Sequence, residues 1–206
     1  MVSHDIAARG ISDPRVLAAM RSVPRHRFVD RAMCEHAYDD RALPIEAHQT
    51  ISQPYIVALM AEALELGPHD RVLEIGTGSG YGAAVLSKLA AEVWSIERIE
   101  SLAECARQRL RELDIVNVQV VHADGTLGLP IQAPFDAIVV TAAGPHVPAA
   151  LQSQLAEGGR LVMPIGSQQG HQTLVRMRRS VDGYTVDDLG GVAFVPLIGE
   201  QGWPVD

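Results

Sequence analysis

The chain has 206 residues, 47% of them hydrophobic, which is enough for one domain with a substantial core, and 17 basic against 25 acidic side chains give a net charge of −8. That balance, with no Lys/Arg-rich run and no basic stripe interleaved with aromatics, excludes nucleic-acid binding as a main task. No apolar run reaches the roughly 18 residues of a membrane span, the first residues lack a signal-peptide core, and Cys34 and Cys105 are too isolated for a disulfide framework, so a soluble, cytoplasmic protein without membrane contact is expected.

Residues 1–53 are expected to be helical and then irregular. Ser12, Asp13 and Pro14 spell a helix start, Val16, Leu17, Met20 and Val23 give its apolar stripe, and Pro24 ends it. A short helical turn is expected around Asp30 to His36, followed by an extended loop from Tyr38 to Ile45. This loop leads into Glu46 to Tyr55, whose small polar groups stand just before a strong helix marked by Ile56, Leu59, Met60, Ala63 and Leu64. From local pattern alone, Ser52 caps that helix. The eight histidines are scattered, none at the helical spacings that hold a metal, and Cys34 with His36 cannot complete a site, so no metal is expected.

From Arg71 the pattern changes. Val72, Leu73, Glu74 and Ile75 pass directly into Gly76, Gly78 and Gly80, and a helical pattern of Ala83, Ala84, Leu86 and Leu89 follows, which is a strand, a tight turn and a helix. Glycines are needed where φ is positive or a ligand comes close, and the helix N-terminus attracts an anionic group. Gly78, Gly80 and Ala83 formally satisfy a dinucleotide spacing. Glu74, two positions before Gly76, would repel a pyrophosphate, however, and would welcome an ammonium and a sulfonium; S-adenosylmethionine fits better than NAD. No phosphate-loop lysine follows, and Ser79 lacks the glycines of a nucleophile elbow. A structural turn in an unrelated α/β protein stays open until a second site agrees.

Glu92 to Glu97 supplies that second site. It reads as a strand whose last residue, about 20 positions after the glycine turn, suits a ribose diol. Taken alone, Glu97 reads as the carboxylate that starts the amphipathic helix of Ile99, Leu102, Ala106, Leu110 and Leu113; beside Glu74 and the glycines it reads as a ribose ligand. Val118 to His122 is a third strand, and Asp124 and Gly125 form a turn at its carboxyl end, where Asp124 is either turn chemistry or an adenine-side contact. Phe135 to Thr141 is a central fourth strand, Ala142 to Pro145 opens the cleft beside it, and Gly158 and Gly159 lead into the fifth. Alternation from Gln172 to Arg179 and from Tyr184 to Leu189 gives a β-hairpin, Val192 to Leu197 a last strand, and the residues after Gly199 a short peripheral tail. A parallel sheet finishing in antiparallel strands is the expected architecture.

Five segments together point to a family. Val72 to Tyr81, Leu43 to Ile45 with Gln49 to Pro54, Pro134 to Thr141, Glu157 to Gly159, and Phe194 to Leu197 resemble protein-L-isoaspartate O-methyltransferases of bacterial type, and the likeness runs from Arg9 to Gly199. The glycine motif marks only the wide class of S-adenosylmethionine-dependent methyltransferases, whereas Thr50-Ile51-Ser52-Gln53-Pro54 is far more specific. The resemblance implies an α/β fold with a doubly wound Rossmann-like methyltransferase sheet. It would be a single domain over residues 1–206: an N-terminal helical and substrate-loop extension at 1–53, a cofactor-binding core at 54–166, and a C-terminal hairpin and strand at 167–206.

It also implies a repair activity, methylation of the free carboxylate of isoaspartyl residues in damaged proteins and peptides, with S-adenosyl-L-homocysteine as the second product. Ser52 would be the active-site serine, Gln49, Thr50 and Ile51 would edge the substrate cleft, and Glu74, Gly76, Gly78, Gly80, Glu97, Asp124 and Gly125 would hold the cofactor. One departure concerns His48, where the family usually carries glycine, with a second glycine often at Glu46. His48 is then either a tolerated loop residue or a contact to the substrate carboxylate. Two other readings stay open: a relative acting on another peptide carboxylate, and a cofactor-binding adaptor without turnover.

Overall fold

Apolar runs that alternate with amphipathic helices can only be buried by covering a sheet on both faces. The computed structural model describes residues 1–168 and 170–204; Gln169, Val205 and Asp206, which belong to the expected 167–206 segment, lie outside the described residues. Strands β3 (Arg71–Ile75), β4 (Glu92–Glu97), β5 (Val118–His122), β6 (Phe135–Val140) and β7 (Leu155–Gly166) are parallel, and β8 (Gln172–Ser180) and β9 (Gly183–Val192) join them antiparallel. Their order is β5-β4-β3-β6-β7-β8-β9. The strand order reverses between β3 and β6, so the crevice that receives ligands in such sheets lies beyond their carboxyl ends. Ile75 sits opposite Ile96 and Val140, which carries Gly76, Glu97 and Thr141 to that same edge.

The period of two along the strands divides the core. Val72, Val139 and Val162 face α1 (Pro14–Ser22), α2 (Pro54–Ala63), α3 (Tyr81–Leu86) and α4 (Glu100–Glu112). Leu73, Ile75, Ile138, Val140, Leu161 and Met163 face the other way, toward Leu151 of α5 (Ala149–Gln154). The α/β, Rossmann-like expectation holds, and the glycine turn lies at its centre.

The N-terminal extension folds as its sequence directs and is then locked down. Asp13 caps α1 by accepting from the Arg15 amide at 2.7 Å, Pro14 occupies the first turn, and Val16, Ala19 and Met20 are buried. Arg25 is wholly buried, donates through Nε to the Ala37 carbonyl at 2.8 Å, and lies 4.8 Å from the Tyr81 ring centre at the start of α3. Burial lowers the Arg25 pKa and pushes the Tyr81 phenol up to about 12.

Four local expectations need correction. The loop before α2 is partly ordered as a small antiparallel pair, β1 (Leu43–Pro44) with β2 (Thr50–Ile51). Ser52 does not cap α2: the N-cap position is Gln53, and Asp40 supplies the cap from upstream, its Oδ1 accepting from the Tyr55 amide at 2.9 Å and its Oδ2 from Gln53 Nε2 at 2.7 Å. At the other end, β9 runs on to Val192, and Val195 to Leu197 lies against Ala143 through two 2.8 Å backbone hydrogen bonds in place of a separate last strand. The tail is not peripheral, because Trp203 donates to the Ala143 carbonyl at 3.0 Å and the Glu200 amide donates to Asp124 at 2.8 Å.

Asp40→Ala should therefore lower stability by about 1–2 kcal/mol, the worth of an N-cap, or roughly 2–8 °C in Tm for a domain of this size. Ser52→Ala should leave Tm unchanged. Calorimetry that ranked the two variants the other way would return the cap to Ser52.

Candidate active site

A cleft of about 940 Å³ opens over the carboxyl ends of β3, β4 and β6. Its lining is drawn from the end of β3 and the glycine turn (Glu74, Gly76, Gly78), from the end of β4 (Glu97), from the segment before α2 (Gln49, Thr50, Ile51, Ser52) and from Phe194 to Ile198.

The glycine turn exists because its surroundings leave no room for anything else. Gly76, with φ 95°, is left-handed, and a Cβ there would run into the Thr141 hydroxyl; Gly80, with φ 91°, is also left-handed and packs against Ala106. Glu97 ties this turn to the neighbouring strand. Its Oε2 accepts from the Gly78 amide at 2.9 Å and its Oε1 from the Ile99 amide at 2.9 Å. Each oxygen keeps a second acceptor site, so a diol can still be bound.

Glu74 is only 1% exposed. The Ser95 hydroxyl donates to its Oε2 at 2.5 Å and lies 2.6 Å from the Thr77 hydroxyl, while Oε1 packs so closely over Gly82 that a Cβ there would strike it. Burial outweighs the Ser95 hydrogen bond, and with the nearby charge of Glu97 it pushes the carboxyl up to about 8. The free protein therefore holds Glu74 largely protonated at neutral pH, and a cation beside it would favour the carboxylate.

Ser52, also among the lining residues, is half-buried just ahead of α2. The loop before it bends through two left-handed residues, Ala47 (φ 56°) and His48 (φ 57°). A glycine-like conformation at His48 is thus real, but the second one falls on Ala47 rather than Glu46. His48 is exposed and does not line the cleft; Glu46 is paired with Arg109 at 2.9 Å.

Asp124 reaches the predicted edge but turns away from the cleft. Its Oδ1 accepts from the Thr126 amide at 2.8 Å and the Thr126 hydroxyl at 2.7 Å, and its Oδ2 from the Glu200 amide; Gly125 lines the cleft in its place. These hydrogen bonds outweigh its partial burial and lower its pKa. Two lining residues were not singled out from sequence. Thr141 donates to the Gly76 carbonyl at 2.7 Å and could have been noticed as the polar end of an apolar strand. Arg9 lies 3.5 Å from the Tyr55 ring centre and pairs with Asp40 at 2.8 Å, partners too distant in sequence to leave a local signal. Among the described residues, no three His, Cys, Asp or Glu side chains gather as a metal would require, and no helix is long and apolar enough to cross a membrane.

Comparison with known proteins gives the family. Residues 1–202 match the family model described as Protein-L-isoaspartate(D-aspartate) O-methyltransferase. Protein-L-isoaspartate O-methyltransferase 2 of Pelobacter propionicus is 59% identical over 204 residues, covering 98% of this chain and 91% of the relative. A solved protein-L-isoaspartate O-methyltransferase superposes with a TM-score of 0.87 at 32% identity over 95% of this chain, which spans only 64% of that longer chain. A Plasmodium falciparum structure of the same description, in complex with S-adenosyl-L-homocysteine, gives a TM-score of 0.79 at 27% identity, covering 93% of this chain and 94% of the other.

Two outcomes follow from the geometry. Glu97→Ala should weaken binding of S-adenosyl-L-homocysteine roughly 10- to 150-fold, the worth of a hydrogen bond to a charged group; calorimetry showing unchanged affinity in the folded variant would remove Glu97 from the site. Glu74 keeps its proton to about pH 8 when folded, against 4.5 as the ordinary value, so it stabilises the fold at low pH, and that contribution is lost as pH climbs from 4.5 through 8. Denaturant titrations of the ligand-free protein between pH 5 and 9 should show this fall, and Glu74→Gln should flatten it.

Proposed function

The chain belongs to the protein-L-isoaspartate(D-aspartate) O-methyltransferase family, and we propose that it transfers a methyl group from S-adenosylmethionine to the free carboxylate of L-isoaspartyl residues in damaged proteins and peptides, a repair reaction. The observation that carries this reading is that the Ser52 segment and the glycine turn held by Glu97 line one and the same cleft.

The residues fit the cofactor. Glu74 and Glu97 make the wall acidic, which suits a ligand with a sulfonium and an ammonium and opposes a pyrophosphate. In this reading Glu97 binds the ribose, Gly76, Gly78 and Gly80 let the ligand approach the backbone, Glu74 faces its cationic end, and Gly125 meets the adenine side. Asp124 holds that turn by its bonds to Thr126 and Glu200. When bound, S-adenosylmethionine supplies an electrophilic methyl group on a sulfonium that leaves as the neutral thioether.

The acceptor is a carboxylate of pKa about 4, already ionised at neutral pH, so no side chain need remove a proton. Orientation in a dry cleft is the remaining task. The Ser52 hydroxyl donates to one carboxylate oxygen and leaves the other free to attack, which is positioning rather than nucleophilic catalysis. Gln49, Thr50 and Ile51 shape the rim that holds the peptide. Glu46 and His48, the two departures from the family pattern, do not line the cleft and so lend no weight to a different acceptor. Arg9 and Ile198 line one cleft, which supports treating the whole chain as one methyltransferase unit. The free thiols of Cys34 and Cys105 suit the cytoplasm, the compartment we assign.

The test is a matched pair of peptides, isoaspartyl and aspartyl, with labelled cofactor. Only the isoaspartyl peptide should accept label, as a base-labile ester, because one backbone methylene displaces the carboxylate and a misplacement of about 1 Å can cost on the order of 10²-fold. Ser52→Ala should lower turnover while leaving cofactor affinity intact. Equal labelling of the two isomers would sink the repair assignment, and a fully active Ser52→Ala would remove the serine from it.

A further inference from the structure

Arg109 sits near the end of α4, yet its guanidinium reaches two loops that each contribute residues to the cleft. Nη1 donates to the Ser79 carbonyl at 3.4 Å, inside the glycine turn, and Nη2 donates to Glu46 Oε1 at 2.9 Å. The Arg109 side chain is 17% exposed and that of Glu46 39%, so the pair is partly shielded from solvent. Glu46 immediately precedes the left-handed Ala47 and His48, and the chain then runs directly into the rim of Gln49 to Ser52. On the other side of Glu46, Ile45 is buried, its Cδ1 3.6 Å from where a side chain on Gly78 would begin. Two successive non-glycine residues in the left-handed region persist only when their surroundings over-determine them. Here the glycine turn and the acceptor rim share one cation.

We propose that Arg109 and Glu46 are positioning residues that couple the two halves of the site: a cofactor that orders the glycine turn fixes Ser79, Ser79 fixes Arg109, and Arg109 fixes Glu46 and the acceptor rim behind it. The inference rests on the function proposed above and deepens it by predicting ordered, cooperative occupancy. The isoaspartyl peptide binds the cofactor-loaded protein more tightly than the free protein, and by reciprocity the peptide tightens cofactor binding by the same factor. A half-exposed ion pair contributes little to global stability. Its effect is therefore read in the coupling rather than in Tm.

The experiment measures the Kd of a fluorescent isoaspartyl peptide by anisotropy, with and without saturating S-adenosyl-L-homocysteine, in the wild type, Glu46→Gln and Arg109→Ala. In the wild type the homocysteine should tighten peptide binding on the order of five-fold or more, the lower end of ordinary coupling. In both variants that ratio should fall toward unity, while in Glu46→Gln, which leaves the Arg109–Ser79 hydrogen bond in place, S-adenosyl-L-homocysteine affinity without peptide stays within about two-fold, as for the loss of a partly exposed pair. Raising salt should shrink the wild-type ratio and leave that of Glu46→Gln unchanged, because only the intact pair is screened. A role in folding alone would lower Tm and leave the ratio at its wild-type value. Should Arg109→Ala fail to fold, Glu46→Gln, which alters only the half-exposed partner, decides the matter. A wild-type ratio in Glu46→Gln, or no coupling in a wild type that binds both ligands, overturns the clasp alone. A wild type that binds neither ligand overturns the functional reading, and the clasp with it.

Discussion

Three glycines held left-handed at alternate positions, Gly76, Gly78 and Gly80, are the constraint to which the rest of the molecule answers. They fall where β3 ends between β4 and β6, so the turn is approached from both sides by strand ends. Thr141 braces the Gly76 carbonyl, Glu97 accepts the Gly78 amide and Ala106 packs on Gly80. A β-carbon at Gly76 would meet a steric obstacle in addition to the left-handed penalty. The close packing of Thr141 on Gly76 and of Ala106 on Gly80 depends on keeping this backbone bare.

Electrostatics in the same wall are set against the ligand-free protein. The fold buries the Glu74 carboxyl out of water and close to Glu97, and the buried group is pushed up to about 8 as a result. The desolvation that disfavours the Glu74 carboxylate also makes any cation placed there worth more than it would be in water. The wall is thus built for a positively charged donor. A carboxylate acceptor needs no proton removed, so the rest of the site can consist of hydroxyls, amides and apolar side chains.

Much of this was legible in the sequence, and what was not has a physical reason. The strands, the glycine turn and Glu97 follow from local periodicity and from the rule that places ligands beyond parallel strand ends. The antiparallel finish was visible as alternation around Gly183. Contacts that depend on distant partners were not visible. Asp40 caps α2 from 15 residues upstream of Tyr55, so the nearer Ser52 took its place in a local reading. Asp124 looked free to face a ligand because the amide that claims it belongs to Glu200, 76 positions on. The left-handed pair falls on Ala47 and His48 rather than on Glu46 and His48, since only three-dimensional pairing shows Glu46 committed to Arg109. Segments after Val192 read as a strand by composition, yet they lie against the end of a finished sheet.

Lining residues as far apart in sequence as Arg9 and Ile198 make the cleft a property of tertiary structure rather than of any one segment. While a nascent chain is still leaving the ribosome, the Val195 to Leu197 segment has not yet docked on Ala143, and one side of the cleft does not exist. Proteolysis near either terminus would open it again. Occupancy of the cleft therefore requires both distant segments to be docked, and a bound ligand would stabilise the whole fold by mass action rather than one part of it. A shortage of ligand in the cell would be felt as faster turnover of the protein itself, because the fraction left empty is also the fraction most exposed to degradation.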